Sequence, residues 1–470
     1  MKSTLGVIIS SRDFFPAHLV KQARSDVLGV FNELGINNIT LNEDQAIHGA
    51  VQTYQHARMC ADLFKAHRDE IDGILIVLPN FGDEKAVVDT IKFSGLNVPI
   101  LVQAYPDDLQ MFDVSNRRDA FCGKISVCNN LRQYGYPFSI TELHTVSPKS
   151  IEFKSDLIKF LGVCRVVRGL RSARLGAVGA RPNAFNTVRY SEKLLQESGI
   201  TVLTADLSEI LGAATKLKDN DVLVKEQLDK IMNYLPTNGV PTESIMRMAK
   251  FGAALNKWMV ELDIQATAIQ CWNSLQINYG VNVCTLMSMM SEELMPSACE
   301  TDITGVASMY ALQLATGTPS ALVDWNNNYG NDPDKCVLFH CGNWAKSFIP
   351  NARMEYANIL ATTLGKENTY GAINGRKPAG PLSFARISTD DQFGVIRTYV
   401  GEGEFIDDEL DTFGSRAVVR VSQLQDLLKY IVKNGFEHHV AMSGAPSSQI
   451  LAEAFETYMG WEVYNHSDRR

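Results

Sequence analysis

The sequence predicts an α/β protein: two open parallel-sheet, Rossmann-like domains followed by a β-rich, barrel-like C-terminal domain. Three observations carry this. Short apolar runs alternate with amphipathic stretches through the first three quarters of the chain, the alternation starts afresh at Arg174, and beyond about residue 345 strand-like runs broken by Gly and Asp replace it.

Leu5 to Ser10 reads as a first strand, followed by a helix over Ala17 to Leu34 that Gly35 can cap. Ile74 to Leu78 reads as a buried strand stopping at Pro79-Asn80-Phe81-Gly82, and Val98 to Gln103 as another ending before Pro106. These place an N-terminal α/β domain at 1–170. Arg174 to Gly179, a loop, a helix from about Val188 to Ser198 and a strand at Ile200 to Ala205 open a central α/β domain at 171–345. Phe384 to Ile387, Gly394 to Val400 and Ala417 to Val421 read as short strands of a C-terminal domain at 346–470, closed by helices around Gln423 to Lys433 and Ser447 to Met459. No repeat of 20 to 50 residues is evident, so solenoids are set aside.

The chain has 470 residues, 45% hydrophobic and 21% charged, which is enough to bury a sizeable core. Its formal charge of -9 disfavours nucleic acid as a partner. No apolar run approaches the roughly 18 residues of a membrane span. Nine irregularly placed cysteines do not make a disulfide framework, and no export signal is visible at the start; the expectation is a cytoplasmic protein with reduced thiols.

Metal-competent side chains stand in unusual contexts. Glu300 lies in Ser297-Ala298-Cys299-Glu300-Thr301-Asp302, just before the apolar run Val306 to Leu314. Asp324 follows Ser320 to Val323, as functional side chains follow strands in open α/β sheets. His340 ends the run Cys336 to Phe339, and His438-His439 precede Val440-Ala441-Met442. Two carboxylates with one or two imidazoles suit Mn²⁺, with Mg²⁺, Co²⁺ or Fe²⁺ as competitors. Each residue also has a structural reading: a helix N-cap or ion pair for the acids, a hydrogen-bonded core ring for His340, and one ring in and one out for the histidine pair. Spacing alone does not show that they converge.

The stretch from Ala266 to Trp325, including Leu286-Met287-Ser288, Ala298-Cys299-Glu300-Thr301-Asp302-Ile303-Thr304-Gly305 and Ala321-Leu322-Val323-Asp324, resembles the metal-binding core of the L-fucose/L-arabinose isomerase superfamily. Gly435 to Ser443 resembles its C-terminal histidine segment. The resemblance implies a metal-dependent aldose-ketose isomerase in which Glu300 and Asp324 are both metal ligands and acid/base catalysts. It implies His439 as a further ligand with His438 beside it, and His340 as an additional ligand of the arabinose isomerase kind. It also implies a homohexamer with active sites shared between subunits. Such enzymes move a proton between C1 and C2 of a sugar through an enediol, where carboxylates within hydrogen-bond reach and a Lewis acid lower the barrier.

For the sugar, the loop Gly179 to Asn186 offers Arg181 and Asn186, and Arg12, Asn80 and Phe81 follow strands in the first domain. Trp272 and Trp344 could stack on a sugar face, although both also suit a core. Arg12, Arg181 and Arg189 would suit an anionic sugar such as sulfoquinovose; L-fucose, D-arabinose and L-arabinose are the neutral alternatives. Gly176-x-x-Gly179 is too short for a dinucleotide fingerprint, and Gly401-Glu402-Gly403 lacks its third glycine. Cys336 and Cys341 flank His340 at an interval that suits a strand better than a zinc site. The rival class is a non-catalytic sugar-binding or sensor protein, because paired α/β domains also build solute receptors.

Overall fold

The computed structural model describes residues 3–468. The chain divides into two compact units, Met1–Arg168 with Glu456–Gly460, and Gly169–Phe455 with Trp461–Arg470. No helix among the described residues is long and apolar enough to cross a membrane.

In the first unit five parallel strands, β1 (Thr4–Ile9), β2 (Asn37–Ile39), β3 (Gly73–Leu78), β4 (Ile100–Ala104) and β5 (Ser139–Ile140), lie in the order β2-β1-β3-β4-β5. Every residue of β1, β3 and β4 is buried, as the unbroken apolar runs require of strands covered on both faces. The helix Ala17–Leu34 ends where Gly35 takes φ 68° and its N-H returns to Phe31 and Asn32. β4 begins at Ile100 rather than at Val98, because Pro99 has no N-H to give the ladder. The strand order reverses between β1 and β3, so the loops after them, carrying Arg12 and Asn80-Phe81, share the crevice where open α/β sheets take ligands.

The second unit holds two sheets. The strands β6 (Arg174–Val178), β7 (Thr201–Ala205), β8 (Ala266–Ile269) and β9 (Ser297–Cys299) are parallel in the order β7-β6-β8-β9. The helix expected from Val188 shrinks to Glu192–Glu197, preceded by a 3-10 turn at Asn186–Val188. Arg189 is extended there, and the N-H of Ser191 is held by the Thr389 hydroxyl.

Nine further strands follow: β10 (Ser320–Asn328), β11 (Lys335–His340), β12 (Arg353–Tyr356), β13 (Tyr370–Arg376), β14 (Gly380–Asp390), β15 (Val395–Ile406), β16 (Ser415–Arg420), β17 (His439–Ser443) and β18 (Glu462–Asn465). Six of them run β16-β11-β10-β17-β14-β15, and β15 pairs back onto β16 through Phe405 and Val419, closing an antiparallel barrel. Ala321 and Val323, Leu338, Phe384, Tyr399, Val419, Val440 and Met442 form its apolar core with the fully buried Trp344, so Trp344 fills core. One expectation is corrected. Asp324 does not end a strand of an open parallel sheet; it lies mid-way along the antiparallel β10, because Trp325 to Asn328 prolong the ladder. The three sheets follow the expected α/β, α/β and β-rich order. We propose that the division at 170 and 345 describes these sheets, with β10 and β11 drawn from the central segment into the barrel.

Candidate metal and sugar site

The site stands on the second unit, where the carboxyl ends of β6, β8 and β9 face β10 and β17. Strand pairing creates its centre. Asp324 on β10 is the register partner of His439 on β17. Val323 and Val440 next to them enter the barrel core, so by the two-residue period Asp324 and His439 share the opposite face. Their side chains meet with Asp324 Oδ1 3.4 Å from His439 Nε2.

Glu300 arrives from β9. The chain must turn there from strand to the helix Ile303–Thr316, and it does so with Glu300 and Thr301 both left-handed, at φ 61° and 56°. For non-glycine residues that costs about 1–2 kcal/mol each, and such outliers cluster at functional sites. The turn sets Glu300 Oε2 2.9 Å from His439 Nε2, while Trp272, in the loop after β8, donates its Nε1-H to Glu300 Oε1 at 3.0 Å. Asp302 then caps the helix, accepting the Gly305 N-H at 2.8 Å. A side chain at Gly305 would collide with the Asp302 carboxylate.

Asp302 was not singled out from the sequence, yet it orders the centre. His439 Nδ1-H donates to its Oδ2 at 2.9 Å, which turns Nε2 toward Glu300 and Asp324. Arg386, fully buried, grips Asp302 with two bonds of 2.7 and 3.1 Å and donates its Nε-H to Glu437 at 3.1 Å. Burial alone would raise the Asp302 pKa, but Arg386 and His439 outweigh it and hold the carboxyl far below its usual range. Glu300 is likewise lowered against its own burial, by His439 and His340. Burial opposes the charge on His439 too, yet Asp302 and Glu300 push its pKa up to about 9.

Glu300 Oε2 and Asp324 Oδ1 are buried and have no partner beyond the His439 ring, which both approach, and the His438 ring beside Asp324. The mixed O/N donors around the His439 ring suit a divalent ion such as Mn²⁺. Ligand atoms of Glu300, His340 and His439 lie within 4.8 Å of one another, as do those of Asp324, His438 and His439. His340 is buried, and its pKa is raised well above the usual value: burial opposes the charge, but Cys341, Asp324 and Glu300 prevail.

A cavity of about 310 Å³ opens on Glu300 and Asp324, walled by Phe185, Trp272, Phe339, Phe413 and His438. Phe185, also unforeseen, stands edge-on to Trp272 at 5.5 Å and to His438 at 5.6 Å. His438 is half-exposed, its Nε2 3.6 Å from Asp324 Oδ1. A larger cavity of about 600 Å³ is lined by Arg181, Asn186, Arg189, Thr301, Ser388 and Glu437 but by neither Glu300 nor Asp324, so the smaller one is the candidate reaction chamber. Arg12, Asn80 and Phe81 form a group of their own in the first unit. The Arg12 guanidinium lies 4.2 Å from the Phe81 ring centre and pairs with Glu84 at 2.6 Å, while Asn80 accepts the Arg12 N-H.

Comparison with known proteins bears on what this centre serves. Residues 6–171 match the family model described as fucose/sulfoquinovose isomerase, N-terminal domain, and residues 338–467 match that of L-fucose isomerase, C-terminal domain, together more than half of the chain. The chain belongs to the fucose isomerase-like superfamily. That membership makes it an enzyme, an aldose-ketose isomerase, and sets aside the sensor reading. Among curated members, the sulfoquinovose isomerase of Priestia aryabhattai is 25% identical over 391 residues, covering 82% of this chain and 83% of its own. The sulfoquinovose isomerase of Alkalicoccus urumqiensis is 24% identical over 339 residues, covering 71% and 74%. In this chain Glu300 and Asp324 each approach His439, which Asp302 and Arg386 hold from the other nitrogen.

Proposed function

We propose that this isomerase interconverts an anionic aldose, of which sulfoquinovose is the leading candidate, and its ketose in a divalent-metal-dependent reaction. The observation that carries the proposal is that Glu300 Oε2 and Asp324 Oδ1 both approach His439 Nε2, at 2.9 and 3.4 Å. Glu300, Asp324 and His439 would hold the ion, Mn²⁺ in first place with Mg²⁺ or Co²⁺ as competitors, and His340 would be a fourth ligand. When bound, the ion would supply a Lewis acid to two vicinal sugar oxygens.

The chain's own groups do the rest. Glu300 and Asp324 take the proton from one carbon and return it to the other, each within hydrogen-bond reach of the substrate. Trp272 fixes Glu300 by Oε1 and turns Oε2 toward His439. His438, beside Asp324, orients a sugar hydroxyl, and the aromatic walls keep bulk water from the enediol. Arg181 and Asn186 line the adjoining cavity and would contact the substrate, with Arg189 able to meet a sulfonate. Arg12, Asn80 and Phe81 are proposed as further sugar contacts, and a homohexamer with shared sites in a cytoplasmic setting belongs to the same reading.

The test is ketose formation from sulfoquinovose, L-fucose, D-arabinose and L-arabinose, with Mn²⁺ and with a chelator, followed by NMR. Turnover of sulfoquinovose that the chelator stops is expected. Turnover of neutral sugars alone would refute the anionic substrate, and turnover untouched by thorough chelation would refute the metal.

A further inference from the structure

Next to Glu300, four cysteines from four separate segments come together. Cys271 follows β8, Cys284 opens the helix Cys284–Glu292, Cys299 ends β9 and Cys341 follows β11. Each of the four thiols acts electrostatically on at least one other, which places them as neighbours. His340 Nδ1 lies 3.4 Å from Cys341 Sγ, and ligand atoms of Cys299, His340 and Cys341 all fall within 4.8 Å of one another.

Buried cysteines commonly serve as small apolar side chains. Cys60 and Cys336 fit that description, since burial is all that acts on their thiols. The four that meet do not. Residues 271, 284, 299 and 341 are far apart in sequence, and their convergence beside an imidazole is the donor set that thiophilic ions select, unlike the oxygen-rich set on the other side of Glu300.

We propose that Cys299, Cys341 and His340, with Cys284 as the nearest fourth donor, form a second metal site for a thiophilic divalent cation of the Zn²⁺ or Cd²⁺ kind, distinct from the carboxylate-imidazole centre. Tetrahedral Zn-S bonds of about 2.3 Å place sulfurs about 3.8 Å apart, so Cys299, His340 and Cys341, with ligand atoms within 4.8 Å, need to close by no more than about 1 Å. Each coordinating thiol releases its proton to solvent as the ion binds. Because His340 belongs to both groups, an ion on the thiols draws that ring away from Glu300 and His439, and each site weakens the other by the same factor.

The experiment is a Cd²⁺ titration of the full chain in a Cys122→Ser, Cys128→Ser background, which removes the more accessible thiols of the first unit. Thiolate-to-cadmium charge-transfer absorption is read in the ultraviolet, with a phosphine reductant present. The proposal expects absorption saturating at one equivalent per chain, affinity at least tenfold weaker in Cys341→Ser or Cys299→Ala, and no change in Cys336→Ala. It expects the band to persist in Asp324→Asn, which separates this site from the proposed catalytic ion. No band in the parent protein would overturn the proposal whether or not the variants fold. An undiminished band in folded Cys341→Ser would overturn it equally.

Discussion

His439 Nδ1 lies 2.9 Å from Asp302 Oδ2, and this single bond decides which face of the imidazole the site presents. With Nδ1-H given to a carboxylate that Arg386 already neutralises, Nε2 is the nitrogen turned toward Glu300 and Asp324. Were an ion to bind there, the outer acid would fix both the tautomer and the ring orientation of its imidazole ligand.

Asp302→Asn should therefore weaken divalent-metal binding about 10- to 100-fold without touching a ligand. It also takes from Arg386 one of its two buried carboxylate partners, leaving Glu437, which should cost about 1.5–3 kcal/mol of stability. Metal titration and urea unfolding of the same variant measure the two effects. Unchanged metal affinity would show that Asp302 only caps its helix.

Trp272→Phe keeps the aromatic wall but removes the N-H that Glu300 Oε1 accepts. Loss of a hydrogen bond to a charged group, about 1.5–3 kcal/mol, should appear as a kcat at least tenfold lower with metal content preserved. Steady-state kinetics together with metal analysis check this. A rise in KM alone would instead assign Trp272 to sugar binding.

If the substrate carries a sulfonate, Arg181→Ala and Arg189→Ala should lower kcat/KM for sulfoquinovose about ten- to a hundredfold, in line with the loss of charge-assisted contacts. A neutral sugar, if turned over at all, should change less than about twofold. Equal losses on both sugars would mean that the arginines hold the loop.

Lys124 offers a pH test remote from any metal ligand. It is buried, donating to the Thr141 hydroxyl and the His144 carbonyl, and burial lowers its pKa from 10.5 to about 8. Between those values the unfolded chain holds a proton that the folded chain has released, so folding stability rises with pH across that window and is flat below it. The stability of wild type relative to Lys124→Met should therefore increase from pH 8 to pH 10 in paired denaturation curves. A constant difference would show that Lys124 stays charged.

Much of this was open to inspection in the sequence, and the exceptions share a cause. β1, β3 and the helix stopped by Gly35 are local statements, written in apolar runs and a capping glycine. Glu300, Asp324 and His439 were singled out through their contexts and a family resemblance, while their meeting depends on the β10–β17 register that no local pattern displays. Asp302 caps a helix, and its role toward His439 rests on Arg386, 84 residues further on, in a segment that reads simply as a strand. Phe185 lies in the loop Gly179 to Asn186, where one aromatic among polar residues carries no local signal of the Trp272 and His438 rings it meets. The four cysteines have no metal-motif spacing, so only the fold brings them together.

The central claim is that Glu300, Asp324 and His439 hold one divalent ion, and Mn²⁺ binding followed by electron paramagnetic resonance tests it most directly. Wild type should take up one Mn²⁺ per chain with loss of the free-ion signal, and folded Glu300→Gln should bind at least tenfold more weakly and turn over no sugar. Full-affinity Mn²⁺ binding by folded Glu300→Gln, or an active Glu300→Gln enzyme, would contradict the account.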